Sequence, residues 1–161
     1  MGERLDDIAT RLGERLLARG WMLATAESCT GGWISKVVTD IPGSSAWFDC
    51  GFVTYSNAAK RDMLGVRGET LETEGAVSEG TVVELAAGAI ERSRAQVAVA
   101  VSGIAGPTGG SAEKPLGTVW FAWVLPGSPV QTQCLQFAGN REEVRHQAVR
   151  IALEVLLERL A

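Results

Sequence analysis

Short apolar runs of strand length alternate along this 161-residue chain with segments of helical period, and that alternation leaves few folds open. Gln96–Val101 is the plainest run: apolar residues occupy both alternating sets, so a strand here must be covered on both faces. Trp21–Ala26 is a second apolar run, and Phe48–Tyr55 has the aromatic and β-branched content of a strand. Leu5, Ile8, Leu12 and Leu16 predict an amphipathic helix over about 3–19, closed by Gly20. A helical segment runs through Val38, Asn57–Leu64 forms a short one, and Ser78 with Glu79 opens another that carries Val82, Leu85, Ala86 and Ile90. Gly117–Leu125 and Val130–Phe137, joined by Pro126-Gly127-Ser128-Pro129, predict an antiparallel hairpin. Asn140 caps a last helix with the apolar face Val144, Ala148, Ile151, Val155 and Leu156. Helices alternating with buried strands predict an α/β fold, a three-layer α/β/α sandwich, with strand order and the direction of the 48–55 strand left open.

Length and composition narrow the function. A chain of this size forms one core, so residues 1–161 are expected to be a single domain with one site. The longest apolar runs, Val97–Val101 and Val119–Leu125, fall far short of the ~20 residues that cross a bilayer, so no membrane partner is expected. The first twenty residues mix acidic groups with amphipathic leucines and do not form the apolar core of a signal peptide, which predicts a cytoplasmic protein. Cys29, Cys50 and Cys134 are odd in number and show no CxxC spacing, which suits free thiols in a reducing compartment. The net charge is −4 and no Lys/Arg stripe is present, so nucleic acid is not an expected partner. A small anion would have to be held by local cations and backbone N–H groups. A homo-oligomer is compatible with this composition.

The chain has a single histidine, His146, which removes histidine-cluster metal sites; no metal is expected. His146 falls among Glu142, Glu143, Val149 and Arg150, off the apolar stripe, and is expected on the solvated surface. Any Ser-His-Asp triad or Cys-His dyad would have to use it. Ser28 stands where a buried strand gives way to a helix beginning near Gly31-Gly32, a turn like a nucleophile elbow in outline but without the GxSxG letters. Glycines let backbone approach a ligand there, and first-turn N–H groups can hold a developing oxyanion; Ser28 or Thr30 would equally suit a helix N-cap. Lys60 follows the only tyrosine and an apolar run. It is either an ordinary surface lysine or, if burial leaves it neutral, a general base. The loop over 102–117, rich in glycine and proline, directly follows a buried strand, where α/β ligand sites lie; it matches neither a Walker loop nor a dinucleotide fingerprint.

Five blocks occur in one order along nearly the whole chain: Ala26-Glu27-Ser28-Cys29-Thr30-Gly31-Gly32, Gly51-Phe52-Val53-Thr54-Tyr55-Ser56-Asn57, Gly75-Ala76-Val77-Ser78, Ser102-Gly103-Ile104-Ala105-Gly106-Pro107 and Lys114-Pro115-Leu116-Gly117-Thr118-Val119. Together they resemble the CinA C-terminal domain family. The resemblance implies an α/β/α domain that hydrolyses the carboxamide of nicotinamide mononucleotide, its small-molecule substrate, with no metal and no cofactor. It implies Ser28 as nucleophile and Lys60 as its base, with Tyr55 and Ser102 completing the polar site. Family members often carry threonine where this chain has Ser102. Cys29, Thr30, Gly31, Gly32, Gly103 and Gly106 would line the substrate. Gly139-Asn140-Arg141 with Arg145 resembles the family's basic motif and gives Arg141 as the candidate phosphate contact. Two rivals stand beside this reading: a Cys29 nucleophile served by His146, and a nucleotide-binding regulatory module without turnover.

Overall fold

The computed structural model describes residues 3–161. Five strands, β1 (Leu23–Glu27), β2 (Phe48–Val53), β3 (Val97–Gly103), β4 (Thr118–Val124) and β5 (Gln131–Gln136), form one sheet in the order β2-β1-β3-β4-β5. β1 pairs parallel with β2 and β3, whereas β3, β4 and β5 pair antiparallel. The expected hairpin is β4–β5. The 48–55 strand runs parallel on one edge of the sheet, its pairing ending at Val53 opposite Glu27.

Helices α1 (Leu5–Arg19), α2 (Trp33–Thr39) and α6 (Arg141–Arg159) cover one face; α3 (Asn57–Leu64), α4 (Gly68–Thr73) and α5 (Glu79–Glu91) lie on the other. This is the three-layer sandwich. The strand alternation explains why the two faces differ. β3 sends Val97, Val99 and Val101 to the first face and only Ala98 and Ala100 to the second. β4 sends Val119, Phe121 and Trp123 to the first face; on the second, Ala122 is buried between the half-buried Trp120 and Val124. The bulky face fills the wide space under three helices, and the alanine face lets α5 lie close to the sheet. Close approach recurs one layer out. A Cβ on Gly88 of α5 would sit 2.1 Å from the Leu64 carbonyl oxygen at the end of α3.

Two expectations change. α4 was not anticipated, because six residues reading GETLET give no apolar stripe. The last helix buries Val144, Ala148, Val149, Ala152, Leu153, Leu156 and Leu157, while Ile151 and Val155 are only half-buried. α6 faces α1 and α2 as well as β3 and β4, so its buried arc is rotated and wider than a one-partner stripe. No helix among the described residues is long and apolar enough to cross a membrane.

Candidate active site

Ser28 begins immediately past the carboxyl end of β1, and its N–H donates to the Val101 carbonyl (3.1 Å), so the ladder with β3 fixes its position. The chain then turns: the Gly31 N–H donates to the Ser28 carbonyl (3.0 Å), with φ of 60° at Gly31 and 100° at Gly32. Both lie in the left-handed region, which side chains other than glycine's disfavour. The cap of α2 is neither Ser28 nor Thr30. Its N-cap position is Gly32, and Glu27, reaching back from the strand, accepts from the N–H groups of Ile34 (2.8 Å) and Ser35 (2.9 Å). Ser28 Oγ is thereby free to face the other side of the turn.

Lys60 comes from α3, whose N-cap Ser56 accepts from the Ala59 N–H at 3.0 Å. It is no surface lysine: only 1% of it is exposed. Nζ stands 2.9 Å from Ser28 Oγ, 2.9 Å from the Thr54 carbonyl oxygen and 3.0 Å from that of Tyr55. None of these partners is an anion, and burial pushes the Lys60 pKa down from its ordinary 10.5 to about 8. A lysine lowered this far can lose its proton just above neutrality. As an ammonium, Nζ donates to both carbonyls and to Ser28 Oγ; once deprotonated, an amine that keeps the two carbonyl bonds turns its lone pair to the Ser28 hydroxyl.

A cavity of about 360 Å³ opens over this pair and brings together Ser28, Cys29, Tyr55, Lys60, Ser102, Gly103, Gly106 and Arg141. Ser102, 1% exposed, lies at the end of β3 beside β1, as a site at strand carboxyl ends requires. Tyr55 is 61% exposed and does not reach Lys60 through its ring; its carbonyl holds the lysine, while its hydroxyl accepts from Arg141 Nη2 at 3.1 Å. Arg141 Nη1 donates to the Gly106 carbonyl at 2.8 Å. The capping box between Asn140 and Glu143 fixes the first turn of α6 and with it Arg141.

Thr30, Gly31 and Gly32 are not on the cavity wall. Thr30 is fully buried and donates its hydroxyl to Glu27 Oε1 (2.7 Å), and the two glycines shape the turn from behind. Arg145, one turn past Arg141, also stays outside. Its Nε donates to the Cys29 carbonyl (2.9 Å) and its Nη2 to that of Thr30 (3.2 Å), and the guanidinium lies 5.6 Å from the Trp33 ring centre. The sequence reading did not single out Glu27, Asn57, Ala76 or Val77, the last three of which line the cavity. A charged residue ending an apolar strand was the available signal for Glu27.

His146 is half-buried instead of freely solvated, because its ring packs edge-on against Trp33 with centres 5.6 Å apart. It lines two clefts of about 430 and 470 Å³ that contain neither Cys29 nor Ser28. Cys29 is buried, and burial pushes its thiol up to about 12 despite the neighbouring Arg145. Among the described residues no three His, Cys, Asp or Glu side chains gather as metal ligands.

A serine and a buried lysine in contact at the carboxyl end of a central strand, inside a three-layer sandwich, define a recognisable class of α/β protein. The chain belongs to the CinA C-terminal domain family, whose model matches residues 5–160. It is 57% identical over 152 residues to the nicotinamide-nucleotide amidohydrolase PncC of Escherichia coli (strain K12), covering 94% of this chain and 92% of that protein. It is 53% identical over 151 residues to the protein of the same name from Pseudomonas putida, covering 94% of each. The crystal structure of competence/damage inducible protein CihA from Agrobacterium tumefaciens superposes with a TM-score of 0.94 at 50% identity, over 98% of this chain and 96% of that one.

Proposed function

We propose that this chain is an amidase that hydrolyses the carboxamide of nicotinamide mononucleotide to the carboxylate and ammonia, within pyridine nucleotide recycling. The observation that carries the reading is the 2.9 Å contact between Ser28 Oγ and the buried Lys60 Nζ on the cavity wall. The names of the relatives supply the substrate.

The chemistry follows from those groups. Ser28 Oγ bonds to the amide carbon, made electron-poor by the pyridinium, as Lys60 takes the hydroxyl proton. The tetrahedral oxyanion needs a donor aimed at it. The Gly31 N–H is committed to the Ser28 carbonyl and Thr30 is off the cavity wall, so the N–H of Cys29, which lines the cavity, fills that role. Collapse breaks the C–N bond, Lys60 returns its proton to the departing nitrogen, and ammonia leaves a Ser28 ester. Water attacks the ester with Lys60 again as base, which releases the carboxylate and restores the serine. Ser102 lines the wall beside the reacting carbon, and the Arg141 guanidinium faces the substrate phosphate.

Purified protein incubated with nicotinamide mononucleotide and a chelator is expected to release ammonia and nicotinate mononucleotide in equal amounts. Binding without ammonia would overturn the proposal in favour of a nucleotide-binding module.

Two expected outcomes arise here. Arg141→Ala should weaken the mononucleotide by roughly 1.5–3 kcal/mol, the value of a charge-assisted hydrogen bond, and leave nicotinamide riboside nearly unaffected. Calorimetry with both ligands checks this, and equal losses would remove Arg141 from the phosphate. Cys29→Ala should keep kcat within about threefold of wild type, because a thiol raised by burial is not the attacking group. Loss of turnover in a folded Cys29→Ala protein would transfer the nucleophile to the cysteine.

A further inference from the structure

Among the described residues Glu27 is the one buried carboxylate, fully enclosed at the end of β1, and no ion pair among them includes it. A carboxylate withdrawn from water is costly unless hydrogen bonds replace its hydration. Four do. Oε1 accepts from Thr30 Oγ1 (2.7 Å) and the Ile34 N–H (2.8 Å), and Oε2 accepts from the Ser35 N–H (2.9 Å) and Ser35 Oγ (2.7 Å). Ser35 Oγ also lies 2.8 Å from Thr25 Oγ1. The sheet leaves room for this cluster through Gly51 of β2, where a Cβ would stand 2.2 Å from Ser35 Oγ and 2.7 Å from Thr25 Oγ1.

The alternation of β1 sends Glu27 toward α2, while the next residue, Ser28, meets Lys60 in α3 on the other side of the sheet. The carboxylate therefore touches neither the cavity nor Lys60. It ties the middle of the 28–32 turn, at Thr30, and the first turn of α2 beyond it to the strand that carries Ser28. Arg145 grips the same turn from outside through the carbonyls of Cys29 and Thr30.

We propose that Glu27 is a positioning residue for the nucleophile: its four-bond clamp on α2 and Thr30 holds the Ser28 turn in register with Lys60 and with the Cys29 N–H that receives the oxyanion. This rests on Ser28 being the nucleophile. The site requires a carboxylate and not merely a polar group. Each oxygen accepts a backbone N–H, and backbone donors cannot reverse, so an amide at this position opposes its own NH₂ to a peptide N–H in either orientation. Asp is too short by one methylene to span the same donors.

Glu27→Gln is therefore the informative variant. Displacement of a reacting group by about 1 Å costs on the order of 10²-fold. The folded variant, checked by circular dichroism, is expected to show kcat reduced by that factor with KM for nicotinamide mononucleotide little changed. Labelling of Ser28 by a fluorophosphonate, read by intact mass, should slow in parallel. Labelling and kcat within about twofold of wild type would overturn the proposal, as would a lowered melting temperature with per-molecule activity intact, which is what a purely structural role gives. If Glu27→Gln does not fold, Thr30→Val removes one hydroxyl donor and leaves every backbone bond; it is expected to lose about tenfold in kcat and in labelling rate, and wild-type values in both would overturn the proposal. Wild-type protein that labels at Ser28 without deamidating the mononucleotide would refute the substrate reading alone, since the labelling rates still decide the role of Glu27. Wild-type protein that neither labels nor turns over would overturn both.

Discussion

Lys60→Arg is expected to lose roughly 10²–10⁴-fold in turnover, the contribution of a positioned general base, while retaining fold and nucleotide binding. The substitution keeps a positive charge where one stood, and a guanidinium does not surrender its proton anywhere near neutrality. If charge were what Lys60 supplied, arginine would serve. The wild-type pH profile carries the same test. With a pKa of about 8, Lys60 is mostly ammonium below that value, and only the neutral amine can accept the Ser28 proton. The rate should climb with pH, about tenfold per unit below pH 8, and level off above it. Lys60→Ala should be as inactive as Lys60→Arg and should lose the limb. Turnover of Lys60→Arg within about tenfold of wild type, a loss of only about 1.4 kcal/mol, would make Lys60 an electrostatic anchor and end the Ser–Lys mechanism.

Gly88→Ala should damage stability and activity together, although the residue lies outside the cavity. Alanine would ordinarily favour a helix over glycine by about 0.5–1 kcal/mol. Here the added methyl would meet the Leu64 carbonyl oxygen at 2.1 Å and the Leu64 carbonyl carbon at 2.9 Å, backbone atoms that no rotamer change can move. Overpacking of this kind costs roughly 1–3 kcal/mol, so the clash outweighs the propensity. The melting temperature is expected to fall by roughly 2–10 °C. The clash is relieved only by moving α3 away from α5, and α3 carries Lys60. A shift of about 1 Å at Nζ breaks its contact with Ser28 and costs on the order of 10²-fold in kcat. Wild-type melting and kcat in Gly88→Ala would show that α3 is free to slide without consequence for the pair.

The parts of the fold that were legible before any coordinates are those whose signal is local. Gln96–Val101 reads as a doubly buried strand because both alternating sets are apolar, and Asn57–Leu64 and the Ser78 cap appear where expected because caps act over three residues. The β4–β5 hairpin follows from a short connection. What was not legible depends on partners distant in sequence. β2 and β3 both flank β1, and nothing in 48–53 says which edge it takes. The buried arc of α6 could not be placed without knowing that α1 and α2 share it with the sheet.

The candidate site divides in the same way. Ser28 is marked by its strand–turn–glycine context. Lys60 is not marked by its own surroundings, since its burial comes from Thr54, Tyr55 and the Ser28 turn 32 residues earlier. Arg141 and Arg145 are one helical turn apart and look equivalent as letters. Only the carbonyls of Cys29 and Thr30 draw Arg145 to the turn and leave Arg141 facing the cavity.

The connection between β4 and β5 offers a practical handle. β4 runs antiparallel to β3, with Val119 opposite Gly103 and Val124 opposite Ala98, so residues 126–130 emerge at the end of the sheet away from Ser28. They are exposed, and a side chain built at Gly127 meets nothing within 4 Å. A cysteine or a short affinity tag inserted beside Ser128 would let the molecule be grafted onto a bead or an electrode with its cavity turned outward to the passing solution. Immobilisation through that corner leaves untouched every segment that supplies the reacting groups.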